Sequence, residues 1–142
     1  MRVFLDTNIL VDVLLNRPRF VADSEAVILR CENLGAEMLV AWHGLATAYY
    51  LLKRGRSEAE ALVEVDKILH WAQVADATDA AARRARTLDF DDFEDALQSV
   101  AAEASGADFI VTRNPDDFLR SPVSAITPQE FLRRCPRPAA AV

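Results

Sequence analysis

The stretch RVFLDTNIL, at residues 2–10, decides the fold, because an apolar run there stops at an aspartate and leads into a helix-like pattern. A second run of the same kind, DFIVTRNPDDF, occupies residues 108–118. Each run predicts a short buried strand that ends in polar residues. Open α/β sheets bind their ligands at the carboxyl ends of such strands. We therefore expect the two polar ends to belong to one functional site.

Predicted strands and helices alternate along the chain. Further strands are predicted at residues 37–41, 71–75 and 123–126, and helices at 20–34, 43–54, 58–70, 78–88, 91–105 and from 128 onward. Capping-box patterns at Ser57 and Asp91 mark two helix starts, and Gly35 marks a helix end. Strands separated by helices predict the α/β class, with a three-layer sandwich in which helices flank a central, mostly parallel sheet.

Length and composition indicate one globular domain. The chain has 142 residues, of which 51% are hydrophobic and 27% charged, so a sizeable core is expected. We assign residues 1–135 to the domain and expect the Pro- and Ala-rich tail at 136–142 to be frayed. No apolar run is long enough for a membrane span, and the first residues do not resemble a signal peptide. The chain also has only two cysteines, so reduced thiols and a cytoplasmic location are expected.

The charge balance bears on the class of substrate. A net charge of −6 argues mildly against nucleic acid, because proteins that bind it usually present a basic face. Basic residues are nevertheless clustered at 53–56, 83–86 and 133–137, where they would contact phosphates or simply occupy solvated helix ends.

Four aspartates follow or flank the predicted strand ends: Asp6, Asp92, Asp95 and Asp117. Carboxylates that converge without a lysine among them repel one another unless a cation is present. Mg²⁺ prefers oxygen ligands of this kind. Other roles stay open, because Asp6 and Asp92 also suit helix N-termini. The residues themselves favour a metal-dependent acidic site.

Three segments together resemble the PIN-domain family of nucleases, which includes VapC-type toxins. They are LDTNIL at 5–10, DFEDALQ at 92–98 and IVTRNPDDF at 110–118. The resemblance implies that Asp6, Asp95 and Asp117 are the catalytic and metal-binding acids, with Asp92 and Asn114 beside them. We also predict that Asn8, Thr112 and Arg113 contact the substrate. Two alternatives stay open: Thr112 would instead orient a carboxylate or a water, and Arg113 would instead form a surface salt bridge. Thr47 stands where such proteins commonly carry another acid.

The resemblance implies a Mg²⁺- or Mn²⁺-dependent endoribonuclease that hydrolyses RNA phosphodiester bonds. It would be the toxin of a toxin–antitoxin pair, inhibited by a small antitoxin protein and forming a homodimer. The alternative is a catalytically silent PIN-fold module that binds RNA or protein, with Thr47 as the mark of a degraded site. A phosphatase or a receiver domain fits less well: Asn8 replaces the second aspartate of the former, and neither lysine, Lys53 or Lys67, suits the latter.

Overall fold

The computed structural model describes residues 1–138, and residues 139–142 of the predicted tail lie outside the described part. Five parallel strands form one sheet with the order β3-β2-β1-β4-β5. The strands are β1 (Arg2–Leu5), β2 (Glu37–Val40), β3 (Gln73–Val74), β4 (Phe109–Val111) and β5 (Ala125–Ile126). The predicted strands are present, but the strands within 71–75 and 123–126 are shorter than predicted, with two residues each.

Helices connect the strands and cover the sheet. They are α1 (Thr7–Leu14), α2 (Val21–Leu34), α3 (Trp42–Leu52), α4 (Glu58–Trp71), α5 (Asp79–Thr87), α6 (Phe93–Ala104) and α7 (Pro128–Arg134), with a 3₁₀ turn at Pro115–Phe118. None of the helices in residues 1–138 is both long enough and apolar enough to cross a membrane.

The sheet separates two hydrophobic cores, as the alternation of side chains along β1 shows. Val3 and Leu5 pack into the core beneath α1, α2, α3, α4 and α7. Phe4 points to the opposite face, where it packs with Ala102 of α6 and Ile110 of β4. Successive residues of a strand point to opposite faces, so a strand buried on both sides is apolar throughout. The predicted three-layer α/β sandwich is confirmed.

Helix ends follow the sequence signals with two exceptions. Ser57 and Glu60 form the predicted capping box, and α2 ends at Gly35 in the left-handed conformation (φ 62°). The predicted capping box at Asp91 is wrong: Asp92 caps α6, and its side chain accepts a hydrogen bond from the N–H of Glu94. Trp71, predicted to open β3, is instead the last residue of α4, because the helix continues through it before Ala72 turns extended.

The strand order places a topological switch point beside β1. From β1 the chain moves to β2 and β3 on one side, and later to β4 and β5 on the other. Connections that leave neighbouring strands in opposite directions open a crevice at the strands' carboxyl ends. Asp6 follows β1 and Thr112 follows β4, so both stand at this crevice.

Candidate metal centre

An acidic cavity lies at the switch point. Its volume is about 300 Å³, and we call it the carboxylate cavity. Its lining includes three of the four predicted acids together with Glu94 and with polar and basic neighbours, namely Asp6, Asn8, Arg17, Thr47, Glu94, Asp95, Asn114 and Asp117. A second cavity of about 450 Å³ shares Asp95 and Asp117 with it. This outer cavity is also lined by acids, including Asp92 and Asp116. The three predicted catalytic acids therefore share one cavity.

Asp6 is held rigidly at the inner end of the carboxylate cavity. The side chain is only 5% exposed. Its Oδ1 accepts a hydrogen bond from Gln98 Nε2, and its Oδ2 accepts one from Thr112 Oγ1, each at 2.6 Å. Burial raises the pKa of Asp6, and the two hydrogen bonds only partly oppose that rise. Although Asp6 precedes α1, its side chain makes no capping hydrogen bond to that helix.

Thr112 supports Asp6 from the end of β4. It is fully buried, and its hydroxyl donates to Asp6 while accepting from Asn8 Nδ2 at 3.3 Å and from the N–H of Asn114 at 3.1 Å. The hydroxyl therefore orients a carboxylate, and complete burial leaves it no surface for the substrate contact that we predicted. Asn8 joins the start of α1 to the end of β4 and also lines the cavity.

Gln98 and Glu94 belong to the site although the sequence analysis did not single them out. Gln98 is fully buried, and its Oε1 accepts a hydrogen bond from the N–H of Thr7 at 3.1 Å. That bond fixes the amide so that Nε2 faces Asp6 and Glu94 Oε2, the latter at 3.0 Å. Glu94 and Gln98 are four residues apart and so share a helix face. The spacing of this polar pair, on the helix that also carries Asp95, was the available signal.

Glu94 is held by neighbours on three elements. His43 Nε2 at the start of α3 lies 3.0 Å from Glu94 Oε1, and the Thr7 hydroxyl lies 3.3 Å from the same oxygen. Burial tends to raise the pKa of Glu94, but the contacts with His43, Gln98 and Thr7 hold it below its usual value. Glu94 is therefore an ionised carboxylate at the cavity wall.

Asp95 differs from both of these acids because no described side chain or backbone group donates a hydrogen bond to it. Its pKa is raised to about 7 by burial and by the negative charges of Asp6, Glu94, Asp92 and Asp117. Within residues 1–138, none of Asp6, Asp92, Asp95 and Asp117 forms a salt bridge. No salt bridge among the described residues therefore balances the negative charge around Asp95.

The remaining predicted ligands lie at the cavity rims. Asp117 is exposed on the 3₁₀ turn, which the buried Phe118 anchors, and Asn114 is exposed at the start of that turn. Asp92 lines only the outer cavity, and its Oδ1 is engaged at 2.8 Å by the N–H of Glu94. The structure therefore brings Asp117 and Asn114 to the carboxylate cavity and leaves Asp92 beside it.

Arg113 does not line the carboxylate cavity. Its Nε lies 2.9 Å from Oδ2 of the buried Asp12, and its guanidinium stacks 4.0 Å from the ring centre of Phe20. The salt-bridge alternative thus describes the observed geometry, and the predicted phosphate contact has no support here. Arg17, which the sequence analysis passed over, is the basic residue that lines the cavity in the described part of the chain.

The chemistry of the donor set fits a hard divalent cation. All candidate ligands offer oxygen, as Mg²⁺ and Mn²⁺ prefer, and their uncompensated charge would be relieved by a cation. Across residues 1–138 no three acidic, histidine or cysteine side chains are already gathered as a cation site. Asp6 points both oxygens at its donors, while Asp117 stands on an exposed turn. Binding would therefore draw the outer acids toward Asp6.

Comparison with solved structures shows the same fold in two protein complexes. VapBC2 from Rickettsia felis, bound to a DNA fragment from its promoter, aligns with a TM-score of 0.67 and 19% identity, over 89% of this chain and 98% of the matched chain. VapBC-1 from nontypeable Haemophilus influenzae aligns with a TM-score of 0.67 and 16% identity, over 91% of this chain and 99% of the matched chain.

Sequence comparison identifies the family. No curated protein matches the chain as a relative. A family model described as the PIN domain matches residues 2–116, which include the DTN, DFEDALQ and TRN segments. The match spans most of the chain, and the fold agrees with it. This chain belongs to the PIN-domain family, whose members are generally nucleases.

Proposed function

We propose that this protein is a divalent-metal-dependent endoribonuclease that hydrolyses RNA phosphodiester bonds. The observation that carries the proposal is the unbalanced negative charge around Asp95, in a cavity at the switch point of a PIN-domain sheet. A structural role alone would not favour several unpaired carboxylates around one cavity, because their mutual repulsion destabilises the fold. A bound cation would relieve the repulsion between these carboxylates and would also bind the phosphate of a substrate.

Asp6, Asp95 and Asp117 would hold the cation, and Asn114 and Asp92 would stand beside them. When bound, Mg²⁺ or Mn²⁺ supplies an activated water near neutral pH and relief of charge at the attacked phosphate. The residues of the protein would orient the carboxylates that surround the cation. Gln98 and Thr112 fix the two oxygens of Asp6, while His43 and Thr7 fix Glu94 at the cavity wall.

The partners that we propose are an RNA substrate, a small antitoxin and a second copy of the chain. The two solved VapBC complexes support a toxin of this type. Support for a protein partner also comes from a surface groove between α3 and α4, where Trp42 and Tyr50 are 70% and 69% exposed. Large exposed aromatic residues of this kind are enriched in protein interfaces. A cytoplasmic location and the absence of a membrane partner remain part of the proposal.

The test is cleavage of a mixed pool of tRNA and structured RNA by purified protein freed of any antitoxin. Reactions contain Mg²⁺, Mn²⁺ or a chelator, beside Asp95→Asn as the inactive control. We expect discrete cuts that require metal and disappear in the variant. Absence of cutting with both metals would contradict the proposal, as would equal cutting by Asp95→Asn.

The silent-module alternative rests on Thr47, which lines the cavity where other PIN domains carry an acid. Its hydroxyl donates to the carbonyl of His43 in the preceding turn, so it offers no charge to a cation. Mn²⁺ binding, followed by electron paramagnetic resonance, separates the two functions. A nuclease should lose affinity on Asp95→Asn, whereas a silent module should bind Mn²⁺ equally weakly with and without the substitution.

A further inference from the structure

Arg17 is fixed by backbone hydrogen bonds in the turn between α1 and α2. Its N–H donates to the carbonyl of Asp12 at 3.0 Å, and its carbonyl accepts from the N–H groups of Phe20 and Val21, each at 2.9 Å. Asn16, just before it, adopts a left-handed conformation (φ 48°), which asparagine tolerates better than most residues. The turn therefore fixes the backbone position of Arg17 beside the carboxylate cavity.

Asp12 beneath this turn carries a buried negative charge shared by two arginines. The carboxyl is fully buried; Oδ2 accepts from Ser24 Oγ at 3.2 Å and lies 2.9 Å from Arg113 Nε. Arg17 Nη1 lies 3.7 Å from Oδ1. Burial raises the pKa of Asp12, and Arg113, Ser24 and Arg17 act in the opposite direction. Two guanidinium groups on one carboxylate leave a positive charge in excess.

The two arginines are held differently. Arg113 is sandwiched between Asp12 and the Phe20 ring, and its side chain is 22% exposed. Arg17 is 39% exposed, and its distance of 3.7 Å from Asp12 is too long for a hydrogen bond. Asp12 Oδ1 has no hydrogen-bond partner in the described part of the chain. Coulomb attraction thus keeps Arg17 near Asp12 while its N–H donors stay free.

Those free donors border an acidic cavity that must admit an anion. Arg17 is the one lysine or arginine among the described residues that line the carboxylate cavity. An entering phosphodiester would meet Asp6, Glu94, Asp95 and Asp117 there, and like charges disfavour its approach. A guanidinium at the rim would offset that repulsion and would offer phosphate a two-pronged hydrogen bond.

We propose that Arg17 binds a phosphate oxygen of the RNA as the strand enters the carboxylate cavity. This inference rests on the proposed nuclease function. It assigns the phosphate contact to Arg17 in place of Arg113, whose guanidinium is occupied by Asp12 and Phe20.

The test is RNA binding by fluorescence anisotropy in Mg²⁺ buffer, in an Asp95→Asn background that leaves the strand uncut. Adding Arg17→Gln should weaken binding by about tenfold, as expected for a lost charge-assisted hydrogen bond. Removal of one phosphate contact should also lower the slope of log affinity against log salt by about 0.7 for a single strand. Arg17→Lys keeps the charge and should keep the salt slope, which also guards against misfolding as the cause.

Arg19→Gln is the matched control. Arg19 lies in the same turn and is exposed, its guanidinium sits 5.4 Å from the Phe20 ring centre, and it does not line the carboxylate cavity. We expect its affinity and salt slope to match those of the background. Mn²⁺ binding by Arg17→Gln in the otherwise unchanged protein should not weaken, because Arg17 is not a ligand and its positive charge opposes the binding of a cation.

Equal losses in Arg17→Gln and Arg19→Gln would overturn the inference, since a general charge effect would explain them. An unchanged affinity in Arg17→Gln would overturn it as well, and wild-type RNA cleavage in parallel would show that the nuclease function still stands. If the wild type cuts no RNA and the Asp95→Asn protein binds none, the proposed function fails, and this inference fails with it.

Discussion

Asp6 and Asp95 line the same cavity, but their surroundings differ. Asp6, at the inner end, receives one hydrogen bond of 2.6 Å on each oxygen. Asp95, nearer the rim, receives none from the described residues and faces the charges of Asp6, Glu94, Asp92 and Asp117. The comparison separates two tasks. The inner acid is oriented by its hydrogen-bond donors, whereas the outer acid faces negative charge that no salt bridge of the described residues balances.

The largest effect is expected from Asp95→Asn, which should abolish cleavage without lowering stability. The variant removes a carboxylate charge that would hold the cation, so activity should fall at least about 100-fold. A loss of about 100-fold is the upper end of the range for mutating groups that only support metal ligands. It also removes repulsion among the acids, so the melting temperature of the metal-free protein should stay equal or rise. Steady-state cleavage and thermal melts measure the two effects. A marked fall in melting temperature would contradict the difference drawn between the acids.

Asp6→Asn should cost both activity and stability. An amide at this position offers only one acceptor oxygen, whereas Gln98 Nε2 and Thr112 Oγ1 each donate to one oxygen of the carboxylate. Gln98 cannot simply turn over, because its oxygen is needed by the N–H of Thr7. A donor facing a buried donor costs about 1–3 kcal/mol of unfolding free energy. Urea unfolding measures the free energy of unfolding of this variant and of Asp95→Asn. Equal values for the two variants would contradict the claim that Asp6 is held rigidly by its hydrogen bonds.

Variants of two adjacent acids on the 3₁₀ turn test which of them belongs to the metal site. Asp117 lines both cavities, whereas Asp116 lines only the outer one. Asp117→Asn should therefore lower cleavage about 10- to 100-fold, in the range of weakened metal binding, while Asp116→Asn stays within about twofold of wild type. Both residues are exposed, so neither variant should unfold. Equal activity losses would mean that the turn contributes only general negative charge.

The pH dependence of stability should separate the metal-free wild type from Asp95→Asn. The pKa of Asp95 is raised from 3.8 to about 7, so the folded protein holds this proton more tightly than the unfolded chain. The stabilisation from the bound proton is complete below about pH 4 and is lost as pH rises toward 7. The metal-free wild type should therefore lose melting temperature relative to Asp95→Asn between pH 4 and pH 7. A difference between the two proteins that does not change with pH would contradict the raised pKa.

The sequence predicted those parts of the site that depend on local pattern. Asp6 and Asp117 could be found because each follows a short apolar run that forms a strand, β1 and β4. Such runs carry their own signal of strand and burial. The resemblance to PIN domains favours Asp117 over its neighbour Asp116 and Asp95 over Asp92. Asp95 and Asp117 line the carboxylate cavity, and Asp92 and Asp116 do not.

The supporting residues depend on contacts that no local pattern reveals. Gln98 of α6 donates to Asp6 across a separation of 92 residues. Arg113 was predicted to contact phosphate because it follows a strand end, but tertiary packing pairs it with Asp12. In each case the partner is remote in sequence.

The central claim is that the carboxylate cavity binds a divalent cation through Asp6 and Asp95. Anomalous diffraction from a crystal soaked in Mn²⁺ tests it most directly. We predict a peak about 2.0–2.6 Å from oxygens of both residues, the range spanned by hard divalent cations, with Asp117 drawn toward it. The peak should be missing in Asp95→Asn crystals treated in the same way. A well-diffracting soaked crystal with no peak in the cavity, or with a peak only among the outer acids around Asp92, would contradict the account.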